Sequence, residues 1–315
     1  MVVSYMKVEV VLTETDIAQE FVEAIEARDL PEKFFYWFPR SATEWASLSG
    51  DSDLYGGLAD TWKDLAADAG SLATAFDGRL PVISFGAGNG RRDCQLIAAL
   101  KDTGRQCVYY PVDASQSLLE LACASGDDED VEAVGIKADI SSPVHLLYAT
   151  DAAEPPRLLI MSGNTMGSFD PLAEIRYLAQ CMKPDDRLII DGEIFDERQS
   201  MARRDNPAVR RFLSALMASL GIAEEDGEIG FNQKRDERHA GLHLITRYFR
   251  AERDITATVA GQQIPMQRGE RIGLNFQYVY TPEAFDWLLT EHGGFDILKR
   301  YRSPDGRFVT AVCRR

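Results

Sequence analysis

Basic residues are scarce in this sequence. Lys and Arg total 34 against 50 Asp and Glu, which leaves a formal net charge of −16 over 315 residues. Phosphate recognition needs clustered Lys and Arg, so nucleic acid and anionic membrane surfaces are not expected partners. Cysteine is also sparse. The five (Cys94, Cys107, Cys123, Cys181 and Cys313) are odd in number, widely spaced and never arranged as CxxC. That excludes a disulfide framework or zinc knuckle and fits a reducing cytoplasm. No apolar run approaches the about 18 residues that would span a bilayer. The opening MVVSYMKVEVVLTETD lacks the basic start and long apolar core of a signal peptide. Histidine occurs four times, with no HExxH. His239 and His243 are four apart, but they flank a strand-like HLITRYF, where that spacing does not bring two ligands to one helical face. No metal is expected.

What is present is an ordinary globular balance, 45% hydrophobic and 27% charged, enough for a sizeable core. The chain changes character near residues 62, 196 and 275. The first sixty residues read as mostly helical: Ile17, Phe21, Val22 and Ile25 recur at helical spacing behind the cap candidates Thr13 and Thr15. An aromatic run, KFFYWFPRSATEW, follows. From 62, the strand-like runs LPVISF, QCVYYPVD, VGIKADI, RLLIMSG and RLIIDGEI alternate with helical stretches. That alternation implies βαβ crossovers and a parallel sheet. Residues 196 to about 240 are charged and read as helical, without strand spacing. Several β-like runs, one helix and two closing strands end the chain.

The most informative stretch is Val82-Ile83-Ser84-Phe85-Gly86-Ala87-Gly88-Asn89-Gly90. A strand runs straight into a glycine-rich turn, where positive φ and close approach of a ligand to the backbone become possible. The pattern is GxGxG, without the third glycine and helix entry of the GxGxxG dinucleotide turn. The next strand ends at Asp113, about 20 positions on, where a carboxylate can accept hydrogen bonds from ribose hydroxyls. The following one ends at Asp139-Ile140, where a carboxylate can meet the adenine amino group and an aliphatic side chain can cover the ring. Three successive strand ends of a parallel sheet converge at its carboxyl edge. Together they point to S-adenosylmethionine as cofactor.

At this point the chain resembles the histidine Nα-methyltransferase family of ergothioneine biosynthesis, which includes related amino-acid N-methyltransferases. LPEKFFYW, SFGAGNGRR, YYPVDAS, MSGNTMGSFDP, LIIDGEIF, DNPAVRRF, GLHL and RGERIGLNFQYVYT carry the resemblance, in order, from about residue 30 onward. It implies an α/β fold: a Rossmann-like class I methyltransferase sheet with a second, substrate-binding α+β domain. The substrate domain would comprise residues 1–61 and 196–275, the cofactor domain 62–195 and 276–315. It also implies that Gly86, Gly88 and Gly90 line the cofactor, that Asp113 and Asp139 with Ile140 bind its ribose and adenine, and that Gly163 flanks its methionine portion.

The acceptor positions depart from the family pattern. Ser168 stands where the family has the Asn that binds the substrate amine. Asn275 and Gln277 replace a Glu and a Ser that grip the imidazole, Leu242 replaces a Met of the ring pocket, and Arg204 falls near a carboxylate-binding Tyr. Asn and Gln are neutral and both donate and accept, and an arginine can hold a carboxylate bidentately. The expectation is therefore N-methylation of a small-molecule acceptor, an amino acid or amino-acid-derived metabolite other than histidine, with Tyr36, Tyr55 and Ser168 orienting the nucleophile. Alternatives are a small-molecule O-methyltransferase and a non-catalytic protein that binds S-adenosylmethionine. A monomer or homodimer is expected. Asp191 and Glu193, after the fourth core strand, are further candidates for the pocket.

Overall fold

The computed structural model describes residues 7–198 and 200–315. The first six residues of the N-terminal segment lie outside the described residues. Fourteen strands are described: β1 (Lys7–Val10), β2 (Asp29–Leu30), β3 (Arg79–Phe85), β4 (Gln106–Asp113), β5 (Glu132–Lys137), β6 (Leu158–Met161), β7 (Arg187–Glu193), β8 (Gly227–Arg235), β9 (Leu242–Ala251), β10 (Ile255–Val259), β11 (Gln262–Met266), β12 (Arg271–Tyr280), β13 (Asp296–Arg302) and β14 (Phe308–Arg314). Eight of them form one sheet in the order β1-β5-β4-β3-β6-β7-β14-β13. Strands β1 and β3 to β7 run parallel, whereas β14 lies antiparallel to β7 and β13 antiparallel to β14. The order reverses at β3, which is where a parallel sheet opens a crevice at its carboxyl edge. This is the Rossmann-like sheet of class I methyltransferases.

The strands read as near-continuous apolar runs because both faces are covered. Val82, Ile83 and Phe85 in β3, like Leu158 to Met161 in β6, are fully buried. Helices Arg91–Asp102 and Gln116–Asp128 return the chain after β3 and β4, as right-handed crossovers require. A buried ion pair fixes the starts of β6 and β7. Arg157 Nη2 lies 2.7 Å from Asp186 Oδ2, and the same carboxylate accepts from the backbone N–H of Arg157 and of Lys183, both at 2.8 Å. Both residues are essentially sealed from solvent, at 1% and 0% exposure.

A second, four-stranded sheet, β2-β12-β9-β8, and the hairpin β10-β11 complete the strands, and Tyr280 of β12 bridges Ile194 just after β7. Their apolar residues join Ile17, Phe21, Val22 and Ile25 from helix Glu14–Glu26 in a separate hydrophobic cluster. That helix starts at Thr13, whose hydroxyl accepts from the Asp16 N–H while Asp16 caps in return, a capping box.

Four details differ from the sequence reading. Lys7–Val10 is not helical; it adds an edge strand beside β5. Residues 196–240 are not all helical either. Helices Ser200–Arg204 and Pro207–Ser219 give way to β8, which pairs with β9 along nine residues. The expected boundary at 61/62 falls inside helix Ser52–Ala67, and the one at 275/276 falls inside β12. Neither point is a break between elements. Among the described residues, no helix is long and apolar enough to cross a membrane.

Candidate functional site

The carboxyl ends of β3, β4 and β5 open onto a cavity of about 950 Å³, its mouth included. Its floor is the turn after β3. Gly86 and Gly88 adopt φ of +69° and +58°, a region L side chains avoid. Both also lack room for a side chain: a Cβ on Gly86 would lie 2.9 Å from Thr165 Cγ2, and one on Gly88 2.5 Å from the Trp45 ring. Gly90, φ +71°, does not line the cavity. It caps helix Arg91–Asp102 and lies against Ala122, whose Cα would be 2.9 Å from a Gly90 Cβ. Its part in the turn is helix packing.

Asp113 lines the same cavity and is nearly buried. Its carboxylate accepts from the backbone N–H of Gly88 at 3.0 Å and of Ser115 at 2.9 Å, tying the end of β4 to the glycine turn. Burial outweighs those bonds and pushes its pKa up to about 6. Asp139 and Ile140 form the next part of the wall. Asp139 accepts from Lys33 Nζ at 2.6 Å and from Ser141 Oγ at 2.6 Å. Burial raises its pKa, but the neighbouring Lys33 ammonium reverses the shift, and the carboxyl sits below its ordinary value.

Gly163, φ +84°, closes the opposite side. Asp191 holds it there by accepting from the N–H of Gly163 at 3.0 Å and of Asn164 at 2.6 Å, with the Trp62 indole donating from behind at 3.0 Å. Asp191 thus shapes the turn and does not line the cavity.

The same cavity is also lined by Glu32, Tyr36, Tyr55, Ser168, Arg204, Phe212, Arg247 and Gln277. Tyr36, Tyr55, Ser168, Arg204 and Gln277 were expected from the sequence. The Tyr36 hydroxyl donates to Glu32, and the Ser168 side chain also hydrogen-bonds that carboxylate. Arg204 is already engaged: it donates to Glu193, which Arg203 also approaches at 2.9 Å. Gln277 Oε1 accepts from Arg247 Nη2 at 3.0 Å, so the amide oxygen orients a guanidinium. Burial and the positive charge of Arg204 both lower the Arg247 pKa.

Two expected residues are elsewhere. Leu242 is fully buried at the start of β9, packed into the core of the large sheet opposite Tyr280. Arg247 is five positions further along β9, and an odd separation on a strand puts side chains on opposite faces. Asn275 lines an adjoining pocket with Glu174, Tyr177 and Phe276 and not the main cavity. A bulge between Gly273 and Phe276 breaks the two-residue alternation, and Asn275 takes φ +58° there. Bulges re-aim side chains in this way. The histidines are structural: His239 stacks on Trp287 and His243 on Phe195. Among the described residues, no His, Cys, Asp and Glu group is arranged to hold a metal.

Sequence reasoning missed Glu32, Lys33, Trp45 and Arg247. Glu32 and Lys33 lay in view inside LPEKFFYW, but their neighbours in space are Ser168, Asp139 and Arg247, more than a hundred residues away in sequence.

A glycine-floored cavity flanked by two acidic strand ends, on a sheet of this order, defines a class I S-adenosylmethionine-dependent methyltransferase. A family model described as histidine-specific, S-adenosylmethionine-dependent methyltransferase matches residues 19–315, and the chain belongs to that family. No curated protein matches it. Solved structures similar to it include an S-adenosylmethionine-dependent methyltransferase from Clostridium acetobutylicum, at 13% identity and TM-score 0.43, covering 81% of this chain and 91% of that one. The PH0226 protein from Pyrococcus horikoshii is also similar, at 13% identity and TM-score 0.41, with coverage of 84% and 93%. A third is the amino pentose methyltransferase CalS10 of Micromonospora echinaspora, solved with S-adenosylmethionine bound, at 14% identity and TM-score 0.37, with coverage of 83% and 94%.

Proposed function

We propose that the enzyme N-methylates an amino acid, or a metabolite derived from one, other than histidine. The observation that carries this reading is the charge layout of the cavity: a carboxylate, Glu32, shares it with two guanidinium groups, Arg204 and Arg247. An α-amino acid presents the complementary pair, with its ammonium toward Glu32, Ser168 and Tyr36 and its carboxylate toward Arg247 and Arg204. Glu193 offsets part of the Arg204 charge, which leaves Arg247 as the stronger anchor. Tyr55 lines the same cavity, and burial raises its pKa while the charges of Arg204, Arg247 and Arg92 oppose that rise and Glu193 adds to it.

Two features favour an acceptor other than histidine. Of the two positions that the family pattern assigns to gripping the imidazole, Asn275 is turned out of the cavity and Gln277 carries a neutral amide, and Leu242 is in the core. The cavity wall there is Phe212, Gln277 and Arg247.

Other residues of the site fit S-adenosylmethionine. Gly86 and Gly88 bring bare backbone to the cavity wall, Asp113 offers a carboxylate to the ribose, Asp139 and Ile140 face the adenine end, and Gly163 with Arg92 borders the methionine end. Bound there, the cofactor supplies an electrophilic methyl group on a sulfonium. The chain's own residues must align an acceptor lone pair behind that methyl carbon and keep water away. Trp45, Tyr36, Phe212 and Phe169 enclose the space. The test is S-adenosylhomocysteine release with a panel of amino acids, hydroxy acids and histidine. Turnover of an amino acid, with histidine poor, is expected. Efficient histidine methylation, turnover confined to hydroxy acids, or cofactor binding without any turnover would each overturn the reading.

A further inference from the structure

Three carboxylates line the cavity: Glu32, Asp113 and Asp139. Two are committed. Asp113 is held by backbone N–H groups, and Asp139 by Lys33 and Ser141. Glu32 is held by hydroxyls, those of Tyr36 and Ser168. Among the described residues it has no ion-pair partner; Lys33 beside it turns to Glu20 and Asp139 instead. An enclosed carboxylate without a cation is costly unless a ligand brings one or a proton neutralises it. Glu32 and Arg247 line the same cavity, and each charge favours the ionised form of the other.

We propose that Glu32 binds the acceptor ammonium and takes its proton before methyl transfer, with Tyr36 and Ser168 holding the carboxylate in place. This rests on the amine reading above. An ammonium nitrogen has no lone pair, so one N–H bond must break first. Its proton goes to a Glu32 oxygen and on to solvent after turnover. The freed lone pair forms the N–C bond, while the electron pair of the breaking C–S bond stays on sulfur. Nothing beyond the methyl donor and the acceptor is needed. Burial raises the Glu32 pKa even though Tyr36 and Ser168 donate to it, which brings the group closer to the working range of a general base. Tyr36 and Ser168, expected from the sequence to orient the nucleophile, act through Glu32.

The test uses Glu32→Gln in the full chain, with S-adenosylhomocysteine affinity as the check on folding. Wild type should show an acid limb in kcat/KM at the titration of Glu32. Glu32→Gln should lose about 10²-fold or more in kcat, and its acid limb should move up to the titration of the free amine. A second readout needs no turnover. Calorimetry of acceptor binding to the S-adenosylhomocysteine complex, in buffers of different ionisation enthalpy at pH 8, should show little proton release for wild type and close to one proton for Glu32→Gln. An unchanged kcat and acid limb, or equal proton counts, overturns the role of Glu32 and leaves the amine reading standing. No amine turned over, with cofactor binding intact, overturns both. Should Glu32→Gln fail to fold, Tyr36→Phe keeps the carboxylate but removes a donor. Its acid limb should then shift to higher pH, and an unmoved limb would refute the proposal.

Discussion

Trp45 covers Gly88 so closely that a Cβ on that glycine would fall 2.5 Å from the indole. The contact joins helix Pro39–Leu48 to the turn after β3, and it makes the turn intolerant of any side chain. Gly88→Ala should therefore weaken cofactor binding strongly, because φ +58° costs an alanine roughly 1–2 kcal/mol and the indole must also move. Calorimetric titration with S-adenosylhomocysteine checks this, and Trp45→Ala in the same background should restore part of the loss.

Cofactor affinity should depend on Asp113 in two ways. Asp113→Ala should abolish measurable binding; normal affinity would show that the ribose is placed elsewhere. In the wild type, the Asp113 pKa near 6 puts a titration inside the accessible range. The ionised carboxylate is the better acceptor for ribose hydroxyls, so affinity should fall as pH drops through about 6. The sign for the unliganded fold is opposite. A raised carboxyl pKa means the folded state prefers the protonated form, so this group's contribution to stability is present at low pH and lost as pH rises through about 6.

Arg247→Met should raise the KM for an amino-acid acceptor far more than it changes cofactor affinity. Removing one charge-assisted bond to a carboxylate costs about 1.5–3 kcal/mol, or roughly ten- to a hundredfold in KM. The acceptor's amide analogue, which lacks the negative charge, should be much less sensitive. Equal losses for both would show that Arg247 does not meet a carboxylate.

The bulge in β12 yields a contrast. Asn275→Gly should leave the acceptor KM unchanged and the fold at least as stable, since glycine takes φ +58° freely. Asn275→Val should lower the melting temperature, because a β-branched residue resists that conformation. A large KM effect from Asn275→Gly would place the side chain at the acceptor after all.

Stability should be most sensitive at Arg157 and Asp186. Asp186→Asn leaves the guanidinium buried without its countercharge, and breaking such a pair costs about 3–5 kcal/mol. Chemical denaturation would read this directly.

The meeting of the glycine turn with Asp113 and Asp139 at one cavity was legible in the sequence because its signals are local. A glycine turn and two acidic strand ends each sit at the end of an apolar run, and the strand order brings them together. The acceptor half was only partly legible. Tyr36, Ser168 and Gln277 line the cavity as expected, but Asn275 and Leu242 do not. The resemblance placed Asn275 and Gln277 together at the acceptor, and the bulge in β12 separates them. Glu32 and Arg247 carried no local mark; they acquire meaning only when β9 and the segment before Tyr36 meet around the same space. The edge strand Lys7–Val10 was missed for a similar reason, since four residues hold too little pattern to compete with the helical stretch after them.

Glu32 and Lys33 are consecutive, yet one side chain goes to the acceptor end and the other to Asp139 at the adenine end. On the ligand placement proposed above, a single peptide unit borders both ligands. Thermodynamic reciprocity then requires that, if the methyl donor strengthens acceptor binding, the acceptor strengthens donor binding by the same factor.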